Sequence, residues 1–176
     1  MMKVDKLSLT GAKLLSPRVF KDARGFFFES YREDICCDAG LPLFVQDNHS
    51  HSTKGVIRGM HFQSEPGQAK LVRVAVGKIY DVIVDIRKDS PTYRQWEGVY
   101  LDAKSHMQLF VPVGFANGFQ VVSDEAHVLY KVSSPYSAAT EKGFRFDDPD
   151  IAIKWPEESS LISERDLEAP FFKELT

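Results

Sequence analysis

Residues 70–134 read KLVRVAVGKIYDVIVDIRKDSPTYRQWEGVYLDAKSHMQLFVPVGFANGFQVVSDEAHVLYKVSS. Within this stretch Tyr80, Val82, Val84 and Ile86 alternate with Asp81, Ile83, Asp85 and Arg87. Val128, Tyr130 and Val132 alternate in the same way with Leu129, Lys131 and Ser133. A period of two belongs to a strand, whose successive side chains point to opposite faces. The runs are short, and Gly, Pro, Asp and Ser punctuate them. Many closely spaced strands of this kind predict an antiparallel β-sandwich or barrel. Helical signal is scarce. ESYREDICCDAG predicts a short helix from about Ser30, stopped by Gly40, and SERDLEAPFF a further short turn near the end. A mostly β fold with short peripheral helices is expected.

Composition bounds the function. The chain has 176 residues, enough for one domain with a proper core, and no repeat or linker-like break divides 1–176. With 22 Lys+Arg against 25 Asp+Glu the net charge is −3, which offers no electrostatic case for nucleic acid. MMKVDKLSLTGAKLLSP lacks the apolar run of a signal peptide. No segment approaches about 18 consecutive apolar residues, so no membrane partner is expected. Cys36 and Cys37, adjacent in the chain, are its only cysteines. They suggest a reduced, cytoplasmic protein.

The stretch VIRGMHFQSEPGQAKLVRV sets His61 between Arg58 and Lys70. Polar side chains facing the inside of a β-sandwich are costly unless paired or functional. His61, Lys70, Asp81 and Tyr130 all lie in or beside expected strands and can therefore converge on an interior. Each also has a plain reading. A strand tyrosine packs, Lys70 suits a solvated strand end, and His49, His51, His106 and His127 suit the surface or structural hydrogen bonds. A metal in such an interior would need a His-x-His pair, a nearby carboxylate and a histidine from a later strand. Here the first reads His61-Phe62-Gln63 and the later strand, GFANGF, supplies Asn117. No metal site is expected, and no GxGxxG or phosphate-cradling loop points to a nucleotide cofactor.

The segments FKDARGFFFESY, FVQDNHS, GVIRGMHFQ, QAKLVRVAVGKIYDVIVDIRKDSPTY, QLFVPVGFANGF, LYKVSSPYSAATE and IKWP with SERD run in order from Phe20 to Asp166. Together they resemble the dTDP-4-dehydrorhamnose 3,5-epimerase family. The resemblance implies a jelly-roll (cupin-like) fold, a homodimer, and catalysis without metal or organic cofactor. It also implies a nucleotide-sugar substrate, a dTDP-linked 4-keto-6-deoxyhexose inverted at C3 and C5. On the matching positions His61 would be the base, Tyr130 the acid, Asp166 the partner of the imidazole, and Lys70 the cation at the C4 oxygen. Arg24 and Arg58 match phosphate- and sugar-side contacts, and Glu29, Gln46 and Asn48 match base- and nucleotide-binding positions. Glu141 and Arg165 also match binding positions, and Tyr136 matches an aromatic that stacks on the pyrimidine.

One position departs from the pattern. The family carries histidine where GFANGF carries Asn117, and asparagine can hydrogen-bond a sugar but cannot exchange a proton. The departure predicts either a tolerated change at a supporting position or an altered outcome, such as inversion at C3 alone, another nucleotide or another sugar. A 3,4-ketoisomerase and a non-catalytic sugar-nucleotide-binding module remain as further readings. The second would keep the grips and lose the acid or the base, whereas this chain retains both.

Overall fold

The computed structural model describes residues 2–175. Its strands are β1 (Lys3–Lys6), β2 (Lys13–Ser16), β3 (Phe20–Asp22), β4 (Gly25–Phe27), β5 (Gln46–Thr53), β6 (Ile57–Gln63), β7 (Lys70–Asp85), β8 (Trp96–Asp102), β9 (Gln108–Val111), β10 (Phe115–Val132) and β11 (Glu141–Gly143). Two short helices, α1 (Glu33–Asp38) and α2 (Glu164–Leu167), and a 3-10 turn at Phe172–Leu175 accompany them. The strand pairings are antiparallel throughout, as the period-two pattern predicts.

Two strands organise the architecture. β7 runs for 16 residues and β10 for 18, about three times the usual length. They pair from Phe115 opposite Asp85 to Val132 opposite Lys70, and near the middle their outer partners change. β7 pairs with β9 over residues 70–73 and with β8 over 78–84. β10 pairs with β6 over 117–120 and with β5 over 125–132. The long strands thus belong to two layers, β1-β2-β9-β7-β10-β5 and β8-β7-β10-β6-β11. The bend falls at Gly77, with φ 77°, where an added Cβ would collide with the Glu125 carbonyl oxygen. Only glycine suits both the backbone angle and the close approach.

The alternation along β7 sorts its side chains into separate cores. Ile79 and Ile83 pack with Leu101, Leu109, Phe115 and Val128 in a cluster drawn from both layers. Val82 and Val84 pack on the opposite face with Met60 of β6 and with Phe144, Ile151 and Phe172 from the chain that follows β11. Both faces of β7 are therefore covered, and even Asp81 and Asp85 are fully buried. A third cluster, with Cys36, Leu41, Leu71 and Phe110, seats α1 on the outside of the first layer.

The helix expected from Ser30 starts later, at Glu33. Arg32 is extended (φ −147°) at its N-cap, and the Ser30 carbonyl accepts from Gln108 Nε2 at 2.9 Å, which keeps this segment on a strand-like path. Gly40, with φ 74°, ends it as expected. Ser163 caps α2 by accepting from the Asp166 N–H. Among the described residues no helix is long and apolar enough to cross a membrane.

Candidate active site

A cavity of about 450 Å³ lies among β6, β7, β10 and α2, within the size range of small-molecule sites. Its wall begins where β6 and β10 run unusually close. Gly59 has φ 138°, and an added Cβ there would sit 2.6 Å from the Gly118 Cα. In this register Asn117 stands opposite His61. His61, Lys70, Tyr130 and Asp166 all line the cavity, as do Arg58, Asn117, Glu141 and Arg165.

His61 Nε2 lies 2.7 Å from Asp166 Oδ1. An ionised carboxylate can only accept, so Nε2 carries the proton and Nδ1 is the ring nitrogen left to work on a bound molecule. The second Asp166 oxygen accepts from the Gly59 N–H at 3.3 Å. Burial pushes this carboxyl up, but the hydrogen bond and charge of His61, with smaller help from Gly59, hold it below the usual range. Asp166 stays a carboxylate, and the α2 cap that fixes its backbone also fixes its aim.

Lys70 sits at the first residue of β7, and its Nζ donates to the His61 carbonyl at 3.4 Å. Burial drives its ammonium down to about 8, against the pull of Asp81 and Glu141. Asp81 is the interior group whose part in the site the motif positions did not assign. Asn117 Nδ2 donates to Asp81 Oδ1 at 2.6 Å and to the Val82 carbonyl at 3.2 Å. Among the described residues Asp81 Oδ2 has no hydrogen-bond partner. Burial pushes this carboxyl up to about 8. The sequence signal was an aspartate inside a valine run.

Tyr130, on β10, is half-buried, and burial raises its phenol while Arg58 pulls it back. It stays protonated at neutral pH. Arg58 is anchored by Ser52 Oγ at 2.9 Å and the His51 carbonyl at 3.2 Å. Arg165 pairs with Glu141 at 2.9 Å. Burial raises the Glu141 carboxyl, but its bonds to Arg165 and Tyr136 hold it below the usual range. Tyr136 is exposed, in a recess that also touches His61, Lys70, Tyr130 and Asn48. Gln46 links these groups, donating to Asn48 Oδ1 at 2.9 Å and accepting from the Tyr136 N–H at 3.0 Å.

Two expected grips lie elsewhere. Arg24 is at the turn of the exposed β3–β4 hairpin, bonded to Asp22. Glu29 lines a separate recess beside α1. Neither lines the cavity with His61 within this chain.

Fold and site together define a jelly-roll (cupin-like) protein whose interior gathers a histidine–carboxylate pair, a buried lysine and a protonated tyrosine. The dTDP-4-dehydrorhamnose 3,5-epimerase family model matches residues 6–174. A dTDP-4-dehydrorhamnose 3,5-epimerase from Shigella flexneri is 48% identical over 97% of this chain and 96% of its own. The crystal structure of the Legionella pneumophila dTDP-6-deoxy-D-glucose-3,5-epimerase with dTDP-4-keto-L-rhamnose aligns with a TM-score of 0.96 at 39% identity, over 100% of this chain and 95% of that one. A dTDP-4-dehydrorhamnose 3-epimerase from Streptomyces niveus is 42% identical over 96% of this chain and 83% of its own. The chain belongs to the dTDP-4-dehydrorhamnose 3,5-epimerase family.

Proposed function

We propose that this chain epimerises a nucleotide-linked 4-keto-6-deoxyhexose at C3 and C5, converting dTDP-4-dehydro-6-deoxy-D-glucose to dTDP-4-dehydro-L-rhamnose. The observation that carries the reading is the pairing of His61 with Asp166 in one cavity with Tyr130 and Lys70. Inversion beside a ketone needs a base, a cation for the enolate oxygen, and an acid on the far face. His61 Nδ1 takes the C3 proton, the electron pair moves into the C3–C4 bond, and the negative charge on O4 meets the Lys70 ammonium. The Tyr130 hydroxyl then delivers a proton to the opposite face, and solvent resets both groups. A general acid or base supplies roughly 10²–10⁴-fold, and a preorganised donor at the oxyanion roughly 10²–10³-fold. The substrate's own ketone is the electron sink, so the step requires no cofactor.

The grips follow from charge. Arg58 and Arg165 are guanidinium forks suited to pyrophosphate and sugar oxygens, and Tyr136 offers an exposed ring for a pyrimidine. Arg24 and Glu29 fit this scheme in a homodimer. The β3–β4 hairpin that carries Arg24 exposes Phe20, Phe26 and Phe27, an apolar arm suited to a second copy's site. In that scheme the whole chain works as one domain in a reducing compartment such as the cytoplasm, where its free cysteines stay unpaired.

Asn117 favours one further reading, inversion at C3 alone. Its amide is committed to Asp81 and Val82, so it offers no exchangeable acid where the family carries histidine. A relative named for C3 epimerisation fits the same reading. Incubation with dTDP-4-keto-6-deoxyglucose in D₂O, read by NMR, tests both. Deuterium at C3 and C5 supports double epimerisation, deuterium at C3 alone supports the second reading, and none at either carbon refutes both.

A further inference from the structure

Three of the five histidines gather on one patch outside the cavity. β5 and β10 pair with His51 directly opposite His127, and His49 and Glu125 lie two residues away along the two strands. His51 Nε2 is 3.0 Å from Glu125 Oε2, and His49 Nε2 is 2.9 Å from His127 Nδ1. One ligand atom each from His51, Glu125 and His127 lies within 4.8 Å of the other two. None of these four residues lines the cavity that holds His61.

We propose that His51, Glu125 and His127 form a surface site for a divalent transition metal of the zinc class, with His49 as the outer partner that holds the His127 ring. Two imidazoles and one carboxylate are a donor set that zinc accepts, leaving one position for water. Tetrahedral bonds of about 2.0–2.1 Å place ligands roughly 3.3–3.4 Å apart. Small side-chain rotations bring the present spacing to that distance, since His51 and Glu125 are both half-exposed. A ligating histidine usually gives its other ring nitrogen to a neighbour, and His49 is placed to receive it. Alternation along the strands keeps the site apart from the chemistry. Asn48 and Tyr130, paired across the same two strands, lie along recesses beside His61, while His51 and His127 do not. A bound metal would tie β5 to β10 at the register that sets Asn48 opposite Tyr130.

The test uses the purified full chain, stripped with chelator and titrated with zinc chloride by calorimetry, with magnesium chloride as the hard-cation control. One zinc per chain is expected at micromolar free metal, and no heat with magnesium, which prefers oxygen ligands. Saturating zinc should raise the melting temperature by roughly 5–10 °C at 100-fold above Kd. His51→Gln and His127→Gln keep polar side chains on exposed strands, and each should weaken zinc at least tenfold. His49→Gln should weaken it roughly 10–100-fold through the lost outer partner. His61→Asn should leave zinc binding unchanged. The proposal is overturned if the chain takes no zinc at micromolar concentration. It is equally overturned if binding survives the combined His51→Gln and His127→Gln change, or is lost in His61→Asn.

Discussion

Asp166→Asn isolates the contribution of a single charge in the proposed mechanism. The carboxylate accepts from His61 Nε2 at 2.7 Å with one oxygen and from the Gly59 N–H at 3.3 Å with the other. Asparagine has one acceptor and one donor in place of these two acceptors, and neither orientation serves. With Oδ1 towards His61, the new N–H₂ faces the Gly59 N–H and a buried donor is left without a partner, which costs about 1–3 kcal/mol. With Nδ2 towards His61, the imidazole must accept at Nε2, so its proton moves to Nδ1 and blocks the nitrogen that would act as base. The bond lost in either case is charge-assisted and worth about 1.5–3 kcal/mol, or roughly 10- to 150-fold in rate. The assay is C3 deuterium exchange by NMR, with kcat and KM measured separately. kcat should fall within that range while nucleotide affinity, measured with dTDP, stays unchanged. A variant exchanging within threefold of the parent would refute the reasoning. Stability offers a second readout. The folded Asp166 carboxyl is held below its ordinary 3.8, so its contribution is present above that value and lost as pH falls through the folded one. Asp166→Asn should be less stable than the parent at neutral pH and lose less on acidification.

Tyr130→Phe should still exchange the C3 proton with solvent but form little inverted product, because the enolate can then recapture a proton only from the His61 side; normal product formation would remove Tyr130 from the acid role. Asn117→His should raise C5 exchange relative to C3, and equal labelling in both proteins would show the position to be neutral. The ammonium of Lys70 must be charged to meet the enolate. With burial holding it down to about 8, the rate should fall as pH rises through about 8, and Lys70→Arg should move that alkaline limb upward; a limb unmoved by the change would assign it to another group. Exhaustive chelation should leave epimerisation unchanged, since His61 Nε2 is already committed to Asp166, and a metal-dependent rate would contradict the cofactor-free scheme.

Much of the fold was legible because strand character is a local property. Side chains two apart share a face, so the alternation around Val82 and Val128 announced antiparallel strands, and Gly40 announced the end of a short helix. The interior candidates were legible for a related reason: a charged residue inside a valine run is costly unless it has a partner. That logic marked Lys70 and Asp81, and the ordered motifs marked His61, Tyr130 and Asp166.

Convergence was not local, and only the tertiary structure decided it. His61 and Asp166 are 105 residues apart, and Asn117 and Asp81 are 36 apart. Their meeting depends on which strands pair, in what register, and where β7 and β10 cross from one layer to the other. The bend at Gly77 is written as a single glycine, but its effect is to change the neighbours of every residue on either side. His49, His51 and His127 show the same limit most sharply. Each reads in sequence as an isolated surface histidine, yet the pairing of β5 with β10 brings residues 78 apart to within 2.9 Å. A side chain's direction follows from its own strand, whereas its neighbours follow from closure of the whole sheet, which no window of sequence contains.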